Sequence, residues 1–317
     1  MIKTTSLFTL LFFSIALNAQ SVPGLDENIP YLINFGPQAK LSFGDDDYKQ
    51  SVFFIVPNTF KKPFYIRIFD PAVSGLHDEL INTFDTKTKI SFFGGDGIYS
   101  KIKGANSANL SETATGDLLF SKEFGNEKEY DNKWFSLGPF NPNEGEFSKE
   151  LDGYVFKAFV QGVSGDDGNC YKYFLSSKTN ENTPIIGSNA FTFEYTVRLN
   201  ESSKEVSHLY PYVDNKVIKL KQNNFDLDGA VEIKIFSVVK VAEKGVTSGD
   251  NIWSTSIHKI EPKERESCMD FQVVNNRIGI AKNNNVVLSI TNQYGEYLPF
   301  MAVPIGDYTP KRTVGVK

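Results

Sequence analysis

The 317-residue chain has only two tryptophans, two cysteines and three histidines, and each scarcity removes a class of chemistry. Two thiols are too few for a disulfide-stapled scaffold or a four-thiolate zinc site. His77, His208 and His258 show no His-Glu-x-x-His spacing, so a zinc-hydrolase signature is missing. There is no Gly-x-Ser-x-Gly elbow, no glycine-rich phosphate loop, and neither Cys170 nor Cys268 sits in a recognisable nucleophile context. Positive charge is not in excess: 33 Lys and Arg face 38 Asp and Glu, a net charge of −5. That argues against a nucleic-acid partner, whose footprint would be basic. Beyond the first 19 residues no run is apolar enough to span a bilayer.

What the chain does have is phenylalanine, 27 residues, with 14 tyrosines. A hydrophobic share of 40% and a charged share of 22% are enough to bury a core and exclude global disorder. Phenylalanine lacks a polar handle and mostly fills cores.

Residues 1–19 read as a secretory signal peptide. Lys3 supplies the positive start, Leu7 to Leu17 the apolar stretch, and cleavage is expected between Ala19 and Gln20. The mature chain is then expected in the periplasm or outside the cell. Export permits disulfides, so Cys170 and Cys268 could pair; two separately buried thiols is the other reading.

The mature sequence alternates with the period of half-buried strands. Phe191, Phe193, Tyr195 and Val197 fall on one side of 191–198, and Thr192, Glu194, Thr196 and Arg198 on the other. Tyr154 to Val160 and Phe64 to Phe69 are more apolar on both sides and suit central strands. Turn signals such as Gly94-Gly95, Asp152-Gly153 and Asp228-Gly229 separate them. Leu76, Leu80, Ile81 and Phe84 carry the one helical spacing, read as a short helix or an Ω-like insertion. The polar run Asn200 to Lys204 is the best boundary. The expected fold is all-β: two antiparallel β-sandwich domains of jelly-roll or Ig-like type, at 20–200 and 205–317.

Calcium and other hard cations take several oxygens from carboxylates and carbonyls held by a tight turn. Asp166, Asp167 and Asn169, after Gly165, form the first candidate site for calcium. Asp45, Asp46 and Asp47, together with Asp70 before Pro71, form the second. Each also reads as an ordinary Asp/Gly turn between strands. Asp226-x-Asp228-Gly229 starts like an EF-hand loop but lacks its later ligands and closing Glu. His77-Asp78-Glu79 is the densest titratable cluster. Trp134 and Trp253, both beside polar residues, are the candidate sugar-stacking side chains, with partly buried tryptophans as the plainer reading.

The stretch Tyr154 to Ser176, a strand, a Gly/Asp/Asn turn and a strand opening on Tyr, resembles the end of bacterial pre-peptidase C-terminal domains. Phe53 to Asp70 stands where that family has its first strand pair. The likeness covers about a third of the chain and departs from the family at Arg67-Ile68-Phe69-Asp70, where an Asp-x-Asp pattern is favoured. Residues 71–150 would be a long insertion. The Asn-Ala-Gln end of the leader, with abundant Asn, Lys and Phe, resembles the style of Bacteroidetes exported proteins. The resemblance implies a noncatalytic accessory module, calcium-stabilised, and offers no catalytic residue. The expected function is therefore an exported binding protein of the cell envelope, with a glycan or an envelope protein as partner. The alternative is a glycan-active hydrolase using paired carboxylates.

Overall fold

The computed structural model describes residues 21–104, 116–202, 205–228, 231–276 and 284–306. The expected leader, the tail from Thr309, and part of the Asn200–Lys204 run lie outside the described residues. The described chain is all-β, built of antiparallel sheets, with no helix of seven residues or more and only short 3-10 turns between strands.

Three layers do the packing. A nine-stranded sheet runs, in spatial order, through Trp253–Lys259, Lys219–Phe225, Asn285–Asn292, Glu194–Arg198, Tyr31–Phe35, Gly168–Ser176, Phe64–Phe69 and Trp134–Phe140, with Ser21–Val22 also pairing Gly168–Ser176. A seven-stranded sheet runs through Phe300–Met301, Asn189–Thr192, Lys49–Pro57, Gly153–Ser164, Lys87–Gly94 and Asp117–Phe124, with Glu146–Ser148 on Gly153–Ser164. A third sheet has four strands, Val206–Leu209, Asp270–Asn275, Val231–Phe236 and Glu243–Lys244.

The seven-stranded sheet faces the Phe64/Gly168 end of the long sheet. Phe64 meets Phe156 with ring centroids 4.9 Å apart, and Phe54 meets Tyr173 at 5.6 Å. The four-stranded sheet covers the other end, where His258 lies against Phe271 at 6.4 Å. One apolar cluster runs through both contacts, from Phe54, Phe92 and Tyr173 to Leu220, Ile233 and Phe271. Burying each such side chain is worth about 1.5–3 kcal/mol. The twelve largest fully buried side chains are nine phenylalanines and three tyrosines. The phenylalanine excess therefore fills the sandwich interior.

The expected central strands are central. Gly153–Ser164 lies between Lys49–Pro57 and Lys87–Gly94, and Phe64–Phe69 between Gly168–Ser176 and Trp134–Phe140. Residues 71–150 do not stand apart as an insertion, because they supply strands to both large sheets.

The clean alternation at 191–198 hides a corner. Asn189–Thr192 belongs to the seven-stranded sheet and Glu194–Arg198 to the nine-stranded one. Phe191 and Phe193 pack in a separate cluster with Phe53 and Met301, whereas Tyr195 and Val197 enter the main core. A strand that switches sheets keeps its period of two while the core it faces changes. Thr192 fastens the corner, its hydroxyl donating to Ser51 O at 2.7 Å.

Glu194–Arg198 forms five residue pairs with Asn285–Asn292, from Glu194↔Ser289 to Arg198↔Asn285, and only two with Tyr31–Phe35. The ladders thin at Phe193 rather than at the polar run after Asn200, and one sheet continues through the expected boundary. At 76–84 no helical turn forms. Leu76 is 91% exposed, so the apolar spacing has no buried face to serve, and the segment is an irregular loop held by side-chain hydrogen bonds.

Candidate functional site

Alternation along three neighbouring strands puts polar and aromatic side chains on the outer face of the long sheet. Lys221 and Asn223 lie beside Ile257 and Thr255 on one flank, and beside Thr291 and Ser289 on the other. Residues two apart share a face, so these six make a floor. Trp253 continues the outer row. It packs on Phe225 with ring centroids 5.4 Å apart and remains 42% exposed. Thr255 donates to Asn223 Oδ1 at 2.9 Å, fixing two of the floor's polar groups.

A loop supplies the wall. After the 3-10 turn Leu41–Phe43 the chain reverses at Gly44, whose φ is +83°. A Cβ there would lie 2.3 Å from Asn285 O, so the position requires glycine. Asp45 is buried and receives the backbone N–H groups of Phe35 at 2.9 Å and Tyr48 at 2.8 Å. That carboxylate folds the loop back and delivers Asp46 and Asp47 to the rim. With Glu194 from the neighbouring strand and Tyr297, they complete a cleft of about 720 Å³.

The carboxyl groups there are strongly perturbed. Burial pushes Asp45 up to about 7, against the pull of its N–H donors and with the push of Asp47. Asp46 is pushed up to about 6 by burial and by Asp47. Glu194 rises well above the usual carboxylate range, first through burial and then through the three aspartates. Burial and Glu194 lift Tyr297 to about 12. The cleft thus gathers carboxyl groups whose burial favours the protonated form beside an indole face. The carboxylate oxygens of Asp45, Asp46 and Asp47 lie within 4.8 Å of one another, close enough to share a cation.

The other expected residues fall elsewhere. Asp167 is fully buried, but its two oxygens receive the N–H groups of Ile81 and Asp85, each at 2.9 Å. Asp166 takes Asn82 Nδ2 at 3.1 Å. Asp85 joins these two within 4.8 Å, whereas Asn169 turns its amide onto Pro71 O at 2.9 Å. The turn tethers the 81–86 loop. Asp70 is also separate from Asp45–Asp47; its neighbours are Asp78 and Asp131. Trp134 sits at the far end of the long sheet, wedged among Phe69, Phe174 and the Arg67 guanidinium at 5.3 Å. Only Trp253 of the two tryptophans lines the cleft.

Cys170 and Cys268 are both buried and unpaired. Burial holds the Cys170 thiol well above the usual range and Cys268 up to about 12, so neither is a ready nucleophile. Glu194, Tyr297 and Asn223 are the residues that sequence reasoning missed. Glu194 carried one signal, its place on the polar side of the 191–198 alternation, but nothing local tied it to Asp46. Compared with protein-family models and with curated proteins, the chain finds no match.

Proposed function

We propose that the chain is an exported, noncatalytic glycan-binding protein of the cell envelope, and that the cleft under Trp253 is its binding site. The observation that carries this is the pairing of a half-exposed indole with a flat floor of Asn, Thr and Ser side chains on a rigid sheet. A pyranose ring presents an apolar face and equatorial hydroxyls, and such a surface complements both. The acidic rim would take further hydroxyls. Glycan-array binding by the purified mature chain tests it. Trp253→Ala should weaken binding about tenfold or more, the weight of about 1.4 kcal/mol of lost stacking. Absence of glycan binding, or full binding by the variant, would overturn the reading.

A second reading has its own support. Burial raises both carboxyl groups at the rim, Glu194 well above the usual range and Asp47 against the pull of the Lys49 N–H at 2.9 Å. Two carboxyl groups lining one cleft are what glycoside hydrolysis uses. Release of reducing ends from a bound oligosaccharide, abolished in Glu194→Gln with binding kept, would replace binding by hydrolysis as the function.

A further inference from the structure

The seven-stranded sheet carries aromatic rings on both faces. Phe54, Phe92 and Phe156 enter the main core, whereas Phe53, Phe93 and Phe191 belong to a second apolar cluster on the opposite side. Successive residues of a strand face opposite ways, so an unbroken apolar run supplies both sets. The second set is covered by Ile98, Tyr99 and Ile102 of one loop, and by Tyr212 and Cys268 of the short pair Tyr212–Val213 with Ser267–Cys268. A cavity of about 390 Å³ lies between these covers. That volume is in the range of small-molecule sites. Of its lining residues only Tyr297 also lines the cleft, so the two sites are separate.

The inner wall is a herringbone of rings. Phe191 meets Tyr99 edge-on with centroids 5.7 Å apart and Phe193 edge-on at 5.6 Å, and it stacks on Phe53 at 5.0 Å. Met301 and Leu298 complete the apolar lining. A guest ring can extend such a set edge-to-face and gain more than its buried area alone provides. An alkyl chain gains only the burial and loses rotamer freedom on entering.

The polar groups gather at the mouth. The Tyr99 and Tyr212 hydroxyls make no hydrogen bond among the described residues. Burial first, with Glu150 adding to it, holds both phenols above their ordinary range, so they remain donors. Glu150 is paired with Lys103, and Asp214, Lys216 and Glu296 complete a rim of both signs. A rim of mixed sign selects neither anions nor cations, but its hydroxyls and carboxylate can both bond a neutral hydroxyl group.

We propose that this cavity binds an uncharged aromatic molecule of one or two rings bearing a hydroxyl group. The ring lies against Phe191, Phe193 and Met301, and the hydroxyl meets Tyr99, Tyr212 and Glu150. The ligand does not enter the cleft under Trp253, so this inference stands or falls separately from glycan binding.

The test is titration calorimetry of the full mature chain with 2-naphthol, and with 1-decanol as an aliphatic alcohol of similar size. The naphthol should bind with a Kd on the order of 0.1 mM, and the decanol about tenfold more weakly. Ile305 lines the cavity and is 40% exposed, so Ile305→Trp should fill the space without disturbing a core and abolish binding. The double variant Tyr99→Phe with Tyr212→Phe keeps the rings and should weaken binding about fivefold or more. Trp253→Ala should bind the naphthol as the wild type does, whatever its effect on glycans. No binding of the naphthol, equal binding of the decanol, or undiminished binding in Ile305→Trp or in the double variant overturns the proposal.

Discussion

Tyr195 and Glu27 stand 168 residues apart in sequence, and the Tyr195 hydroxyl donates to Glu27 Oε2 at 3.0 Å. The same oxygen accepts the Gly24 N–H at 2.5 Å, and Oε1 has no partner among the described residues. Glu27 closes the 3-10 turn Leu25–Glu27, so the contact seats the start of the described chain against the strand where the sheets change over. Burial lifts Glu27 from its ordinary 4.5 to about 8, although both donors pull it down. The folded chain then keeps a proton that the unfolded chain releases. Its contribution is fully present below about pH 4.5 and is lost as pH rises towards 8. The expected slope is on the order of 1.4 kcal/mol per pH unit in that window. Glu27→Gln should remove it, so denaturant midpoints of variant and wild type should diverge steadily from pH 5 to pH 8, the variant being the more stable at the alkaline end.

The cleft should discriminate by ligand charge in a pH-dependent way. Asp46 at about 6 and Asp45 at about 7 both ionise as pH rises from 5 to 8, so the cleft becomes more negative across that range. Binding of an acidic oligosaccharide should weaken about tenfold between those limits, whereas a neutral one of equal length should change little. Titration calorimetry at pH 5 and pH 8 measures both.

Gly44→Ala should be among the most damaging single-methyl changes. It demands a left-handed backbone at φ +83° and drives a Cβ to 2.3 Å from Asn285 O. A loss of at least about 2 kcal/mol is expected in urea unfolding. Because the loop carries Asp46 and Asp47, whatever folded protein remains should also show weakened ligand binding.

Asp167→Ala should reveal a structural role. The substitution strands the N–H groups of Ile81 and Asp85, while the Thr86 hydroxyl keeps its bond to the Asp167 carbonyl at 3.2 Å. About 2–4 kcal/mol of stability should disappear. That loss should be the same with calcium or chelator.

The fold was legible wherever the burial of a residue follows from its immediate neighbours. Tyr154 to Val160 is apolar on both sides and lies mid-sheet between two partners. The 191–198 run was legible as extended chain, yet the switch of sheets at Phe193 was not, since period two survives a corner unchanged. The Leu76–Phe84 spacing misled for a related reason: periodicity signals a helix only when a core receives the stripe, and Leu76 and Leu80 face solvent. Asp167 is legible as part of an acidic turn, whereas the backbone N–H groups of Ile81 and Asp85 that meet its oxygens come from at least 82 residues away and are not. Glu194, Asp46 and Trp253 share a cleft only through ladders that join distant strands, so no window of sequence could have assembled them.

The thin joint at Phe193 also sets how the molecule would answer to force. Two short ladders stitch across it, Val197↔Leu32 with Arg198↔Tyr31, and Phe191↔Met301 with Thr192↔Phe300. Arg198 rivets the first of these, reaching Asn285 at 3.0 Å on one side and Glu79 with the His77 carbonyl on the other. A pull across the sheet meets two pairs at that joint, against seven in the ladder Lys219–Phe225 with Trp253–Lys259. The protein should therefore yield first by opening at Arg198 like a zip, with the floor under Trp253 still intact after the two ends have parted.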